Sequence, residues 1–226
     1  MNFSAYYACY NNTKATEFVL SNFRKHYPNE IVVLISDGGI DFSKIAKKYN
    51  TEYFYMNNIF ASGPKNLYDS KRMIEWWNRQ KLVCDISKSD YVIILEDDVY
   101  VKNKIQSKED FALKGIHKNN QTFNNVFCSA IVKETGIDYY GMCGGSMYNV
   151  KIFREIYTDV IKDIMSNHDK KILSNPSQYY QLGAVDANMT YHYTKRGYSY
   201  MDAEWLTENP HDESKSIIHA WKQYYE

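Results

Sequence analysis

Tyr91-Val92-Ile93-Ile94-Leu95-Glu96-Asp97-Asp98-Val99 sets a five-residue apolar run directly before three consecutive carboxylates. A short, β-branched run of this kind reads as a central strand covered on both faces, the pattern of a parallel sheet. Three adjacent carboxylates repel one another, which raises the pKa of at least one of them unless a cation lies nearby. Open α/β sheets bind ligands at the carboxyl ends of their strands, where this cluster falls. Mg²⁺ or Mn²⁺ suits carboxylate oxygens and retains positions for substrate phosphates. The alternative is a solvated acidic turn; the apolar strand before it favours a site.

Working outward, Ser4 to Tyr10 is small, aromatic and uncharged and ends at Asn11-Asn12-Thr13, as a buried strand running into a loop. Ala15, Phe18, Val19, Phe23 and Tyr27 then recur at helical spacing up to Pro28, with Asn12 or Thr13 as N-cap. Ile31 to Ile35 is a second continuous apolar strand, stopped by Ser36-Asp37-Gly38-Gly39. Strand, helix and strand of these lengths make a βαβ unit with a right-handed crossover. The spacing predicts a short helix over Asp41 to Tyr49, a strand over Glu52 to Tyr55, a loop over Ile59 to Asn66 and a long helical segment over Leu67 to Ser87. Downstream, strands are expected at Val126 to Val132 and Ser146 to Val150, around the loop Gly141 to Gly145. Helices are expected at Phe153 to Met165 and Ala187 to Arg196, the second ending at Gly197. Trp76 and Trp77 cannot face the same way on a helix, so one of them is expected at the surface or at a ligand edge.

Bulk properties narrow the function. The 226 residues suit one α/β domain, and 44% hydrophobic with 24% charged residues is globular. The 27 basic and 27 acidic residues cancel, so no global field draws nucleic acid or an anionic membrane, and an anionic ligand must be held by local charge. No apolar stretch approaches the roughly 20 residues of a spanning helix. Met1-Asn2-Phe3-Ser4 lacks the character of a signal peptide, and Cys9, Cys84, Cys128 and Cys143 form no CxxC pair. Reduced thiols and a cytoplasmic location are the expectation.

Val92 to Val99 resembles the strand and DXD motif of GT-A fold glycosyltransferases, especially compact enzymes of large DNA viruses and bacteria. The similarity extends to the first strand and helix, to Ser36-Asp37-Gly38 and to Ile217-Ile218-His219-Ala220-Trp221-Lys222. It implies an α/β, Rossmann-like GT-A fold with a mixed, mainly parallel central sheet flanked by helices. It implies one domain over 1–226, which the notably early finish after Lys222 suggests is one part of a longer polypeptide. For a viral protein the location becomes the host cytoplasm.

The activity implied is transfer of a hexose or deoxyhexose from a nucleoside-diphosphate sugar to a hydroxyl of a glycan or small acceptor, with inversion. Asp98 and His219 would ligate the metal, and Glu96 and Asp97 would lie against metal or donor ribose. Glu96 departs from the family's usual Asp-x-Asp. Lys222, three residues after His219, would reach the phosphates, on one face with it if His219 to Lys222 form a helical turn; an ordinary amphipathic helix with a surface His and Lys is the bland alternative. Tyr10, Asn11 and Asp37 would meet the donor base or ribose, and Arg79 a phosphate or the ribose; Asp37-Gly38 as a plain turn and Arg79 as a solvated helix residue are the bland alternatives. Asp186 would be the catalytic base, or simply a helix cap. Gly144 and Gly145 would line the donor-sugar or acceptor pocket, or form a turn. Tyr139, Tyr140, Tyr179, Tyr180 and Trp205 are either sugar platforms or core. A sugar-phosphate nucleotidyltransferase would need a glycine- and lysine-rich loop after the first strand, which Asn11-Asn12-Thr13-Lys14 does not supply. A non-catalytic nucleotide-sugar or carbohydrate-binding module is the remaining alternative.

Overall fold

The computed structural model describes residues 1–57, 69–107, 109–116, 142–166 and 185–219, with only the backbone for 185–187. Two expected features, the loop at Ile59 to Asn66 and the strand at Val126 to Val132, lie outside the described residues, as do Gly141, Tyr139, Tyr140, Tyr179, Tyr180 and Lys222.

Four parallel strands form the frame: β1 (Phe3–Cys9), β2 (Val32–Asp37), β3 (Glu52–Met56) and β4 (Tyr91–Leu95). With β6 (Leu113–Gly115), β7 (Met147–Asn149) and β8 (Tyr200–Asp202) they make a seven-stranded sheet in the order β3-β2-β1-β4-β7-β6-β8. The chain leaves β1 toward β2 on one side and returns to pair β4 on the other, so β1 and β4 flank the topological switch point. β7 runs antiparallel to both β4 and β6.

Alternation along the central strands splits the core in two. Tyr6, Val33, Ile35, Val92 and Ile94 face one layer, and Ala5, Tyr7, Leu34, Ile93 and Leu95 the other. The first layer packs on α3 (Ser70–Ile86), α4 (Val150–Met165) and α5 (Val185–Thr194). The second is covered by α1 (Thr13–His26) and α2 (Ser43–Lys48), together with a small sheet in the order β5 (Val99–Val101), β10 (Ile217–His219), β9 (Leu206–Thr207).

Local chemistry accounts for the boundaries. Asn12 caps α1, its side-chain oxygen accepting from the Ala15 amide at 3.0 Å. Asn149 caps α4 through the Ile152 amide at 3.1 Å, so that helix starts at Val150, earlier than the expected Phe153. α5 covers 185–194 rather than 187–196, because Lys195 to Gly197 turn off it, with Gly197 at φ 84°. β2 reaches Asp37, two residues beyond the expected end.

One expectation is corrected. Trp76 and Trp77 are both buried, at 3% and 0% exposure, because α3 is packed on more than one side. Trp77 stacks on Phe153 of α4 at 5.2 Å and its Nε1 donates to Asn188 of α5 at 2.9 Å. His219 lies in β10, whose β-branched Ile217 and Ile218 pair with β5, and the remainder of the His219 to Lys222 turn lies outside the described residues.

Candidate active site

The turn after β4 is closed by the Val99 amide donating to the Glu96 carbonyl at 3.1 Å, and it separates the three carboxylates. Asp97 turns toward β1, where the buried Tyr7 hydroxyl donates to its Oδ1 at 2.7 Å. Burial and the Asp97 charge hold the Tyr7 hydroxyl well above its ordinary pKa, so it remains a donor. Asp97 thereby ties the acidic turn to the first strand.

Glu96 and Asp98 meet His219. Its Nε2 lies 3.0 Å from Glu96 Oε2 and 3.1 Å from Asp98 Oδ1, and these three residues each offer a ligand atom within 4.8 Å of the others. The small sheet makes this possible. β5 begins one residue after Asp98, and the antiparallel register pairs Val99 with His219, bringing together residues more than a hundred positions apart. The register of β9 with β10 pairs Thr207 with Ile218, so the next residue, Glu208, falls beside His219. Glu208 Oε1 is 3.6 Å from His219 Nδ1. One imidazole, 5% exposed, thus stands among three carboxylates. Burial alone would lower the His219 pKa, but polar contacts with Asp98, Cys143, Glu208 and Glu96 outweigh it and raise the pKa far above the ordinary value. This setting favours an imidazolium when no cation is bound, and a cation ligated through Nε2 would take the place of that proton. Two carboxylates and an imidazole also fit a divalent cation; the nitrogen ligand favours Mn²⁺ or another transition ion over Mg²⁺.

Gly144 and Gly145 belong to the same place. A Cβ on Gly144 would sit 2.5 Å from Val99 Cγ2, 3.1 Å from Glu96 Cβ and 3.2 Å from His219 Cδ2, so any side chain there would push directly on the cluster. Gly145 has φ 90°, its amide donates to the Ile94 carbonyl at 2.7 Å, and its carbonyl accepts from Trp205 Nε1 at 2.9 Å. Trp205 is therefore a core residue that braces the glycine turn.

A second polar cluster lies at the end of β2. Arg79 NH1 donates to Asp37 Oδ1 at 2.6 Å, NH2 to the Asn57 carbonyl at 2.6 Å, and Nε to Glu75 at 3.3 Å. The two charged side chains of the Asp37 pair are 1% and 5% exposed. The structure brings Arg79 and Asp37 together as partners, joining α3 to the ends of β2 and β3. Beside them, the Tyr10 carbonyl accepts from the Ile40 amide at 3.0 Å and Tyr55 Oη donates to the Gly39 carbonyl at 3.0 Å, linking the loops after β1 and β2 to β3. Tyr10, Ile40 and Tyr55 are among the most exposed large apolar side chains described, and Asn11 is exposed beside them. Asp186 is the second residue of α5.

No protein-family model matches the chain, and no curated protein matches it. Among solved structures, the apo form of the glycosyltransferase GlyE of Streptococcus pneumoniae TIGR4 superposes with a TM-score of 0.52 at 13% identity. The fold is a mixed α/β fold similar to that of GlyE, with a mainly parallel central sheet flanked by helices. The match covers 99% of this chain and 55% of the GlyE chain, so this chain spans about half the length of that protein. At that identity the likeness extends to the fold alone. Among the described residues, no helix is long and apolar enough to cross a membrane.

Glu208 is the site residue that the sequence concealed. Leu206-Thr207-Glu208 and Ile217-Ile218-His219 are both short apolar runs ending in a potential ligand or its partner, but two-residue and three-residue strands carry too few alternations to be recognised by period.

Proposed function

We propose that the chain is a metal-dependent glycosyltransferase that moves a hexose or deoxyhexose from a nucleoside-diphosphate sugar to a hydroxyl of a glycan or small acceptor, with inversion. The observation that carries this reading is the Glu96, Asp98 and His219 cluster at the carboxyl end of β4, beside the switch point of a glycosyltransferase fold.

Glu96, Asp98 and His219 would hold Mn²⁺ or Mg²⁺, and Asp97, tied to Tyr7, would keep the turn in place. Bound there, the cation supplies Lewis-acid neutralisation of the diphosphate leaving group. The other roles fall to the chain itself. Tyr10, Asn11 and Asp37 would face the donor base and ribose, with Arg79 fixing Asp37 from below. Lys222 would add a positive charge for the phosphates. Gly144 and Gly145 would leave room for the sugar by presenting backbone rather than side chain. Asp186 would accept the proton of the acceptor hydroxyl, orienting and activating it for attack. The single-domain reading and a cytoplasmic location complete the proposal.

The test is release of nucleoside diphosphate from a panel of nucleotide sugars. Release from one donor with Mn²⁺, abolished by EDTA, is the expected result; no release from any donor with either metal would sink the reading. NMR of the glycosylated product separates out the role of Asp186, since retention of the donor's anomeric configuration would remove it as the inverting base.

A further inference from the structure

We propose that Glu208 is a positioning residue for His219, holding the imidazole by its Nδ1 edge so that Nε2 is presented to a cation shared with Glu96 and Asp98. The inference rests on the metal reading of this site and concerns a residue to which that reading gives no task.

Geometry assigns the role. The two ring nitrogens face opposite partners: Nε2 lies 3.0 and 3.1 Å from Glu96 and Asp98, whereas Nδ1 lies 3.6 Å from Glu208 Oε1. Glu208 is outside the trio whose ligand atoms converge within 4.8 Å. At 3.6 Å its contact is a charge interaction rather than a hydrogen bond, and it still selects the ring orientation with N–H toward Glu208. Backbone pairing, not side-chain chance, sets this arrangement: β10 is held between β5 and β9, the Ile217 amide donates to the Trp205 carbonyl at 2.9 Å, and the parallel register carries Glu208 alongside His219. Glu208 is 20% exposed and His219 5%, and the two atoms that face each other, Glu208 Oε1 and His219 Nδ1, are both buried. A carboxylate behind a ligating histidine fixes its tautomer and raises its basicity, and loss of such a partner typically weakens metal affinity by about 10- to 100-fold.

The test measures Mn²⁺ binding to the full chain by loss of the free-ion EPR signal, with the metal-free melting temperature recorded for each variant. Glu208→Ala is expected to weaken Mn²⁺ binding by about 10- to 100-fold with a near wild-type metal-free melting temperature. Glu208→Gln, which keeps an acceptor oxygen without the charge and guards against misfolding of the alanine variant, should fall between the two. In a His219→Ala background, Glu208→Ala should cost nothing more, because its partner is already gone. Wild-type affinity in both Glu208 variants would overturn the inference while leaving the metal reading intact. A further loss in the His219→Ala background would make Glu208 a direct ligand and overturn it equally. A wild-type chain that takes up no Mn²⁺ would remove the metal reading and this inference with it.

Discussion

Asp98→Asn is expected to lower metal-dependent donor turnover roughly 1,000-fold, the effect of losing about 4 kcal/mol of leaving-group stabilisation. The substitution keeps the shape of the side chain and a hydrogen-bonding oxygen toward His219, 3.1 Å away, while removing one of the negative charges that would hold the cation. His219 keeps Glu96 and Glu208 as neighbours, so the metal-free fold should survive. The paired measurements are steady-state release of nucleoside diphosphate at saturating Mn²⁺ and the metal-free melting temperature. Turnover within a few-fold of wild type would show that Asp98 does not carry the cation.

Arg79→Met should destabilise the chain by about 3–5 kcal/mol, because it leaves the Asp37 carboxylate buried without its counter-charge. It also removes the donor to the Asn57 carbonyl, unfastening α3 from the end of β3. Replacing the pair together, Asp37→Leu with Arg79→Met, should recover much of that loss, since an apolar pair of similar volume avoids the desolvation of two ions. Urea unfolding followed by the fluorescence of Trp76 and Trp77, buried on the same helix, reads both variants. A loss under about 1 kcal/mol for the single variant would mean that the pair behaves as a surface salt bridge, contrary to its burial.

The same pair illustrates how far the residues alone could be read. Asp37 was legible because it follows a continuous β-branched strand, and Arg79 because it lies on the helix leading to β4. Their partnership was not, because 42 positions separate them and only the packing of α3 against the sheet sets the distance. The parallel frame was plain for a related reason: strands covered on both faces must be apolar throughout, and Ile31 to Ile35 and Tyr91 to Leu95 announce themselves without partners. Glu96 to Asp98 stood out as charge placed where burial ends.

What stayed hidden depends on long-range pairing. β5, β9 and β10 are two or three residues each, too short for a periodic signal, yet their register brings His219 to Asp98 and sets Glu208 behind the ring. The resemblance supplied His219 as a ligand, and the β-branched Ile217 and Ile218 before it suit the strand observed. Trp76 and Trp77 misled through an assumption about layers. Opposite sides of one helix can both be buried when a sheet covers one side and other helices the next, as β1 and α4 do for α3.

The most direct measurement is anomalous diffraction at the manganese edge from crystals grown with Mn²⁺ and a nucleoside diphosphate. A single strong peak within bonding distance of Glu96, Asp98 and His219, contacting the diphosphate, is the result expected. An ordered diphosphate bound with no manganese among these three side chains would contradict the assignment.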